Sequence, residues 1–349
     1  MKLLEKTLGK IKSADKGIEQ WAQNRVDNLI KPKGSLGNLE DLYIRIAGMS
    51  GEKYPKIQKK SIIVMAGDHG IINEGVATSP KDITRIQAVN MTKGVTGVCA
   101  LAKQAKADVV VVDIGIDGEL PPCNVIDRKI RYGAGNFLNE LAMTREEAIK
   151  ALEVGIEIAE IEIEKGCNLL GTGEMGIGNT TPSAAIVSVI TGEHPIDVTG
   201  IGANLPQDKV AQKASVIQKA IEFHKPDKND GIDVLSKVGG LEIAGMAGVM
   251  IGGAAKGVPV VVDGFISTAA AVIACTVEPK VREYLIPSHA SEEKGAVIAS
   301  KYLNFEPPLH LGLRLGEGTG AAIMFNVIEA ALYMNAEMLT FEEAGFIVD

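Results

Sequence analysis

Apolar and polar positions follow two rhythms along this chain, and the rhythm switches at glycines. In residues 1–30, Ile18, Trp21, Ala22 and Val26 recur at helical spacing among charged residues, which predicts one or two amphipathic helices. Lys31-Pro-Lys-Gly-Ser-Leu-Gly37 reads as a loop from its proline and glycines. Leu39, Leu42, Tyr43 and Ile46 fall at i, i+3, i+4 and i+7 and predict the next helix. Ser61–Ala66 is a buried strand ending on Gly67-Asp68-His69-Gly70, and a helix from about Thr84 to Lys106 follows, weakened by Gly94 and Gly97. Ala107–Asp113 is the next strand. Thr144-Arg-Glu-Glu147 has the form of a capping box and opens a helix running to about Lys165.

The second half repeats the pattern. Cys167–Leu170 predicts a short strand leading into the loop Gly171–Thr181, with Pro182 placed for the first turn of a helix. Asp197–Gly202 is read as a further short strand, Gln207–Phe223 as a basic helix, and Val258–Asp263 as a strand before an alanine-rich helix. Leu311–Leu315 is read as the last strand, with a long helix starting near Ala321. Thr340-Phe-Glu-Glu343, a second capping box, predicts a short final helix. Strand, glycine turn and helix, repeated about six times, imply an α/β fold: a mainly parallel, six-stranded, Rossmann-like sheet with helices on both faces.

In such a sheet the carboxyl ends of the strands share one edge, where ligands bind. Asp68, Glu174, Asp263 and Glu317 all fall just past predicted strands, and Asp113 ends its own. Glu317 stands out because Gly316 and Gly318 flank it, so no large neighbour shields its carboxylate. Partial desolvation there would raise its pKa and suit it to accept a proton.

Composition narrows the function. A formal charge of −8 argues against nucleic-acid binding, and no apolar run is long enough to span a membrane. The opening Met-Lys-Leu-Leu-Glu-Lys lacks the apolar core of a secretory signal. Cys99, Cys123, Cys167 and Cys275 are too scattered for a disulfide frame or a zinc site, so a reduced cytoplasm is the expected setting. His69 follows Asp68 but no other histidine sits at ligand spacing, which favours a hydrogen-bonded turn residue over a metal ligand. Ser288-His289-Ala-Ser291 lacks a nucleophile elbow.

Two phosphate readings compete. Gly171-x-Gly173-x-x-Gly176, with Asp197 beyond it, matches the dinucleotide fingerprint and would make the protein an oxidoreductase, but Glu174 would repel a pyrophosphate. Alternatively, Gly176-Ile-Gly178-Asn179-Thr180-Thr181 before a helix could hold one phosphate on free N–H groups, with Lys213 or Lys209 adding a cation.

Taken together, Lys31–Gly37, Ala66-Gly-Asp-His-Gly70 with Glu74-Gly-Val76, Gly173–Thr181, Gly240–Met246, Asp263–Thr268, Ser288-His289 and Leu311–Gly320 resemble the nicotinate-nucleotide–dimethylbenzimidazole phosphoribosyltransferase family over nearly the whole chain. The resemblance implies attack of a lower-ligand base on C1′ of nicotinate mononucleotide in cobalamin synthesis, with Glu317 as general base and neither metal nor cofactor. It implies that Gly176, Gly178, Asn179 and Thr180 face phosphate or ribose, and that Gly202, Lys213 and Ser291 hold the phosphate. Glu174 and Asp263 would lie near the ribose and departing nicotinate, while Ser79, Pro80, Gln87 and Leu315 would line the base pocket. It also implies a homodimer, and a small helical domain built from residues 1–30 and 331–349 beside a large α/β domain of 31–330. Thr78-Ser79-Pro80 and Gly200–Leu205 depart from the family pattern, which leaves the acceptor open among benzimidazoles, adenine and a phenol such as p-cresol. A non-catalytic subunit of the same fold is the other alternative.

Overall fold

The computed structural model describes residues 3–346. Its centre is a parallel sheet of β1 (Lys60–Gly67), β2 (Asp108–Gly115), β3 (Ile126–Asp127), β4 (Leu169–Met175), β5 (Val260–Val262) and β6 (Leu285–Pro287). The strand order is β3-β2-β1-β4-β5-β6, and every pairing is parallel. Chain order reverses direction between β1 and β4, so the crevice at their carboxyl ends is the place where this kind of sheet takes a ligand. β1 is buried along its full length, as a strand covered on both faces must be. On one face, Met65 and Ile114 meet Gly245 of the helix Leu241–Ala255. On the other, Ala321 and Phe325 of the helix Thr319–Glu337 lie over Gly171.

The helices Arg145–Glu164 and Leu241–Ala255 cross almost backbone to backbone. A Cβ at Gly155 would run into the Gly245 carbonyl, and one at Gly248 into that of Leu152. The capping box at Thr144 forms as the sequence predicts, each partner accepting the other's backbone N–H.

Several expectations are corrected. Leu311–Leu315 forms no strand: Gly312 has φ +64°, Leu311 and Leu315 are more than half exposed, and the segment runs as an irregular loop along the sheet edge. Asp197–Gly202 is not a strand either. His194 caps the short helix Pro195–Val198, with proline in its first turn, and a loop follows. The remaining parallel strands are instead β3 and β6, two and three residues long, too short for periodicity to mark. The predicted helix 84–106 divides into Ile83–Thr92 and Gly97–Gln104 around Gly94, whose φ is +76°. Thr340 and Glu343 exchange their capping bonds, but the described chain makes only a turn there, and residues 347–349 lie outside the described residues.

β4 continues through Gly171–Met175, a stretch the sequence suggests is a loop. Its glycines are needed because other chain segments press on them: Ala321 and Phe325 at Gly171, and the Glu317 backbone at Gly173. Two glycines of the apparent dinucleotide fingerprint therefore lie inside a strand rather than in a pyrophosphate-binding turn, which removes the physical basis of that reading.

The chain ends meet. Leu29 and Thr340 form an antiparallel bridge, Ile30 N–H donates to Leu339 O at 3.0 Å, and Arg25 pairs with Glu343 at 3.0 Å. Ala22, Val26, Tyr43 and Ile46 join the same apolar core as Ile62 and Phe325.

Candidate active site

At the carboxyl ends of β4 and β5 lies a cavity of about 230 Å³. Glu317 reaches it from a turn of unusual shape. Gly316, Glu317 and Gly318 have φ of +85°, +64° and +101°, three left-handed residues in succession. Only glycine adopts that region freely, so Glu317 itself carries strain of about 1–3 kcal/mol that its surroundings must hold.

Two buried acids hold it. Asp263 accepts from Gly318 N–H at 3.1 Å through Oδ2, and from Gly320 N–H at 2.7 Å and Ala321 N–H at 3.2 Å through Oδ1. Glu174 accepts from the Glu317 N–H at 3.3 Å, and its other oxygen accepts from the Asn179 side chain. Asp263 thus serves the backbone beneath the cavity and does not line it.

The Glu317 carboxylate faces the cavity. Oε2 accepts from Val98 N–H at 3.1 Å, at the start of the helix Gly97–Gln104, and Oε1 lies 3.4 Å from the Gln87 amide nitrogen. Burial raises the Glu317 pKa, against the pull of the Val98 N–H, and the nearby Asp263 adds to the rise. Burial pushes Glu174 up to about 7, with Asp263 and Glu242 adding to the effect against the bonds from Asn179 and Glu317. Carboxylates whose proton affinity is raised in this way are stronger bases than exposed ones, which suits them to take a proton from a weakly acidic ligand.

Another part of the lining carries hydrogen-bond donors. Thr180 begins the helix Thr180–Thr191, and Gly202 and Ser291 stand beside it. Lys213, 1% exposed, donates to Thr180 Oγ1 at 2.7 Å from below. Burial pulls its pKa down to about 8, while Glu293 opposes the fall. Lys209 is exposed and lies on neither cavity wall.

Of the residues the sequence singles out, Gln87, Glu174, Gly176, Asn179, Thr180, Gly202, Ser291, Leu315 and Glu317 line the cavity together. Gly178 and Ser79 line a small adjoining space of about 50 Å³ that shares Gly176, Asn179 and Thr180 with it. Lys213 and Asp263 sit behind the walls. Pro80 lies outside both linings; it is exposed, and its carbonyl accepts from Ile83 N–H where a helix begins. His69 bonds Glu242 at 2.9 Å with both side chains buried, as a turn residue rather than a ligand. Burial works against its charge, yet Glu242 raises its pKa overall.

The structure adds residues to which sequence patterning gives no role. His289 lines the cavity, with Nδ1 2.9 Å from Ser288 Oγ and 4.0 Å from Asp263. Glu293 and Ala203 also line it, and Arg314 closes its rim by donating to Asn204 at 3.0 Å. Ser288-His289 could be noticed as a polar pair after a short strand, whereas nothing in the run Glu292-Glu293 separates the inward acid from the outward one.

A phosphoribosyltransferase family model matches residues 11–346. The chain is 54% identical over its full length to the nicotinate-nucleotide–dimethylbenzimidazole phosphoribosyltransferase of Alkaliphilus metalliredigens, covering all of that protein. It is 50% identical to the protein of the same name from Clostridioides difficile, over 98% of this chain and 99% of the relative. Among solved structures, the Thermus thermophilus protein of that name superposes with a TM-score of 0.91 at 36% identity, over 96% of this chain and 100% of the other.

Proposed function

The chain belongs to the nicotinate-nucleotide–dimethylbenzimidazole phosphoribosyltransferase family, and we propose that its cavity moves the phosphoribosyl group of nicotinate mononucleotide onto 5,6-dimethylbenzimidazole or a related base, for the nucleotide loop of cobalamin. The observation that carries this is the presence in one cavity of a carboxylate, Glu317, held on a glycine-flanked turn, and a donor cluster of Thr180, Gly202 and Ser291 backed by Lys213.

The chemistry follows from that arrangement. The donor cluster would take the 5′-phosphate, placing the ribose between it and Glu317. The incoming base would enter beside Gln87 and Leu315. Glu317 would remove its N–H proton, the freed nitrogen pair would bond to C1′ from the face opposite nicotinate, and the C1′–N bond would break with its electrons going to the pyridinium nitrogen. Inversion then gives the α-riboside. The leaving ring is already cationic, so departure neutralises it and needs no acid. The protein's task is to deprotonate the nucleophile and align it. Glu174 and Asp263 would act here by holding the Glu317 turn.

The test of this reading is incubation of pure protein with nicotinate mononucleotide and a panel of benzimidazoles, purines and phenols. A riboside phosphate mass together with free nicotinate is expected. No product with any acceptor refutes it. We further infer a homodimer working in the cytoplasm, with residues 1–30 and 331–349 as a small helical domain; the meeting of the two ends of the described chain supports the last point.

Lys213→Ala is expected to weaken nicotinate mononucleotide binding by about 10- to 100-fold, the worth of one charged hydrogen bond, and to leave base binding little changed. Because only the protonated amine attracts phosphate, nucleotide binding to the empty protein should also fade as pH rises through about 8. Calorimetry showing equal losses for both ligands in the variant would count against a phosphate contact.

A further inference from the structure

The donor cluster contains one group of the wrong sign. Glu293 caps the helix Lys294–Tyr302 by position, but its side chain turns away from that helix. Oε1 accepts from Gly202 N–H at 2.9 Å, and Oε2 is buried with no partner. The carboxylate lies where a Cβ on Gly200 would have to go, and the residue lines the cavity with Thr180, Gly202 and Ser291. It is also the charge that opposes the loss of Lys213's proton on burial. Everything else gathered there is a hydroxyl, a backbone N–H or an ammonium.

We infer that Glu293 is the resident counter-ion of the phosphate subsite: in the empty protein its carboxylate occupies the Gly202 amide and balances Lys213, and an arriving phosphate displaces it. This rests on the phosphate reading of the donor cluster given above. One N–H cannot serve a carboxylate and a phosphate at once, and two anions in one desolvated corner repel. Without an internal anion, however, Lys213 would be a buried cation with only a hydroxyl for company. The loop would lose its anchor too: Gly202 and Asn204 both have left-handed backbones, with φ of +54° and +65°. The arrangement trades some phosphate affinity for a subsite that stays formed when empty. It also eases release, because substrate and product carry the same 5′-phosphate.

Glu293→Gln tests it, since glutamine keeps an acceptor for the Gly202 N–H and removes only the charge. In slightly acidic buffer, where Lys213 remains protonated, inorganic phosphate measured by calorimetry should bind about 10-fold tighter than to the wild type. KM for nicotinate mononucleotide should fall, and kcat should fall with it as the phosphorylated product leaves more slowly. Glu293→Ala, which removes the anchor as well, should bind phosphate more weakly than Glu293→Gln. Unchanged or weaker phosphate binding in Glu293→Gln, with the wild type active as a transferase, overturns the counter-ion role and leaves the transferase reading standing. A wild type without transferase activity removes that reading, while tighter phosphate binding in the variant would still support Glu293 as the displaced anion.

Discussion

Glu317→Gln is expected to lower turnover about 10²- to 10⁴-fold, the usual worth of a positioned general base, while nicotinate mononucleotide binds as before. Glutamine preserves the shape of the side chain and an oxygen for the Val98 N–H, so the strained turn need not move. What disappears is the capacity to take the proton. The pH profile gives a second readout. The reactive form is the carboxylate, so wild-type activity should fall as pH drops through the Glu317 pKa. Burial puts that pKa above the ordinary carboxylate value, so the acid limb should lie at higher pH than for an exposed glutamate. The residual activity of Glu317→Gln should lack that limb. Glu174, at about 7, titrates nearby and would leave a limb of its own if it were the proton acceptor. Near-normal turnover in Glu317→Gln, or an unchanged acid limb, would move the role to Glu174.

Where hydrophobic period alone decides structure, the sequence reads well. Ser61–Ala66 and Ala107–Asp113 are strands, as their apolar runs predict; β1 is buried throughout between two layers of helices, and β2 becomes buried from Val111 onward. Glu317 could be singled out because glycines on both sides are a local signal. The errors share a cause. Gly171–Met175 reads as a loop because the reason for its glycines, the helix and turn of residues 317–325 pressing on β4, lies far along the chain. Leu311–Leu315 reads as a strand because its alternation is right, yet no neighbour offers it a ladder; Leu311 and Leu315 stay exposed, Leu315 on the cavity lining. The family resemblance puts Asp263 among ligand contacts, while the structure gives its oxygens to three backbone N–H groups, a partnership no spacing rule encodes.

That partnership makes Asp263→Ala the substitution with the largest expected structural effect. Asp263 is 3% exposed, and its two oxygens satisfy the N–H groups of Gly318, Gly320 and Ala321, the first-turn donors of the helix Thr319–Glu337 and the turn before it. Alanine leaves those donors facing a small void. Each orphaned buried N–H costs about 1–3 kcal/mol, and relaxation of the loop recovers part of it, so a net loss of about 3 kcal/mol is expected. A domain stable by about 5–15 kcal/mol survives that, with a lower urea midpoint. Turnover should suffer more than stability, because the turn that Asp263 pins is the one carrying Glu317, and a displacement of about 1 Å can cost on the order of 100-fold in rate. Asp263→Asn separates the two effects. Its oxygen can still serve Gly320 and Ala321, but its amide N–H₂ would face the Gly318 N–H, donor against donor. The fold should then be nearly intact while Gly318 loses its anchor, so kcat should fall with little change in the urea midpoint. If Asp263→Asn keeps wild-type kcat, the turn does not depend on this carboxylate, and the placement of Glu317 must be credited to Glu174 and its bond to the Glu317 N–H.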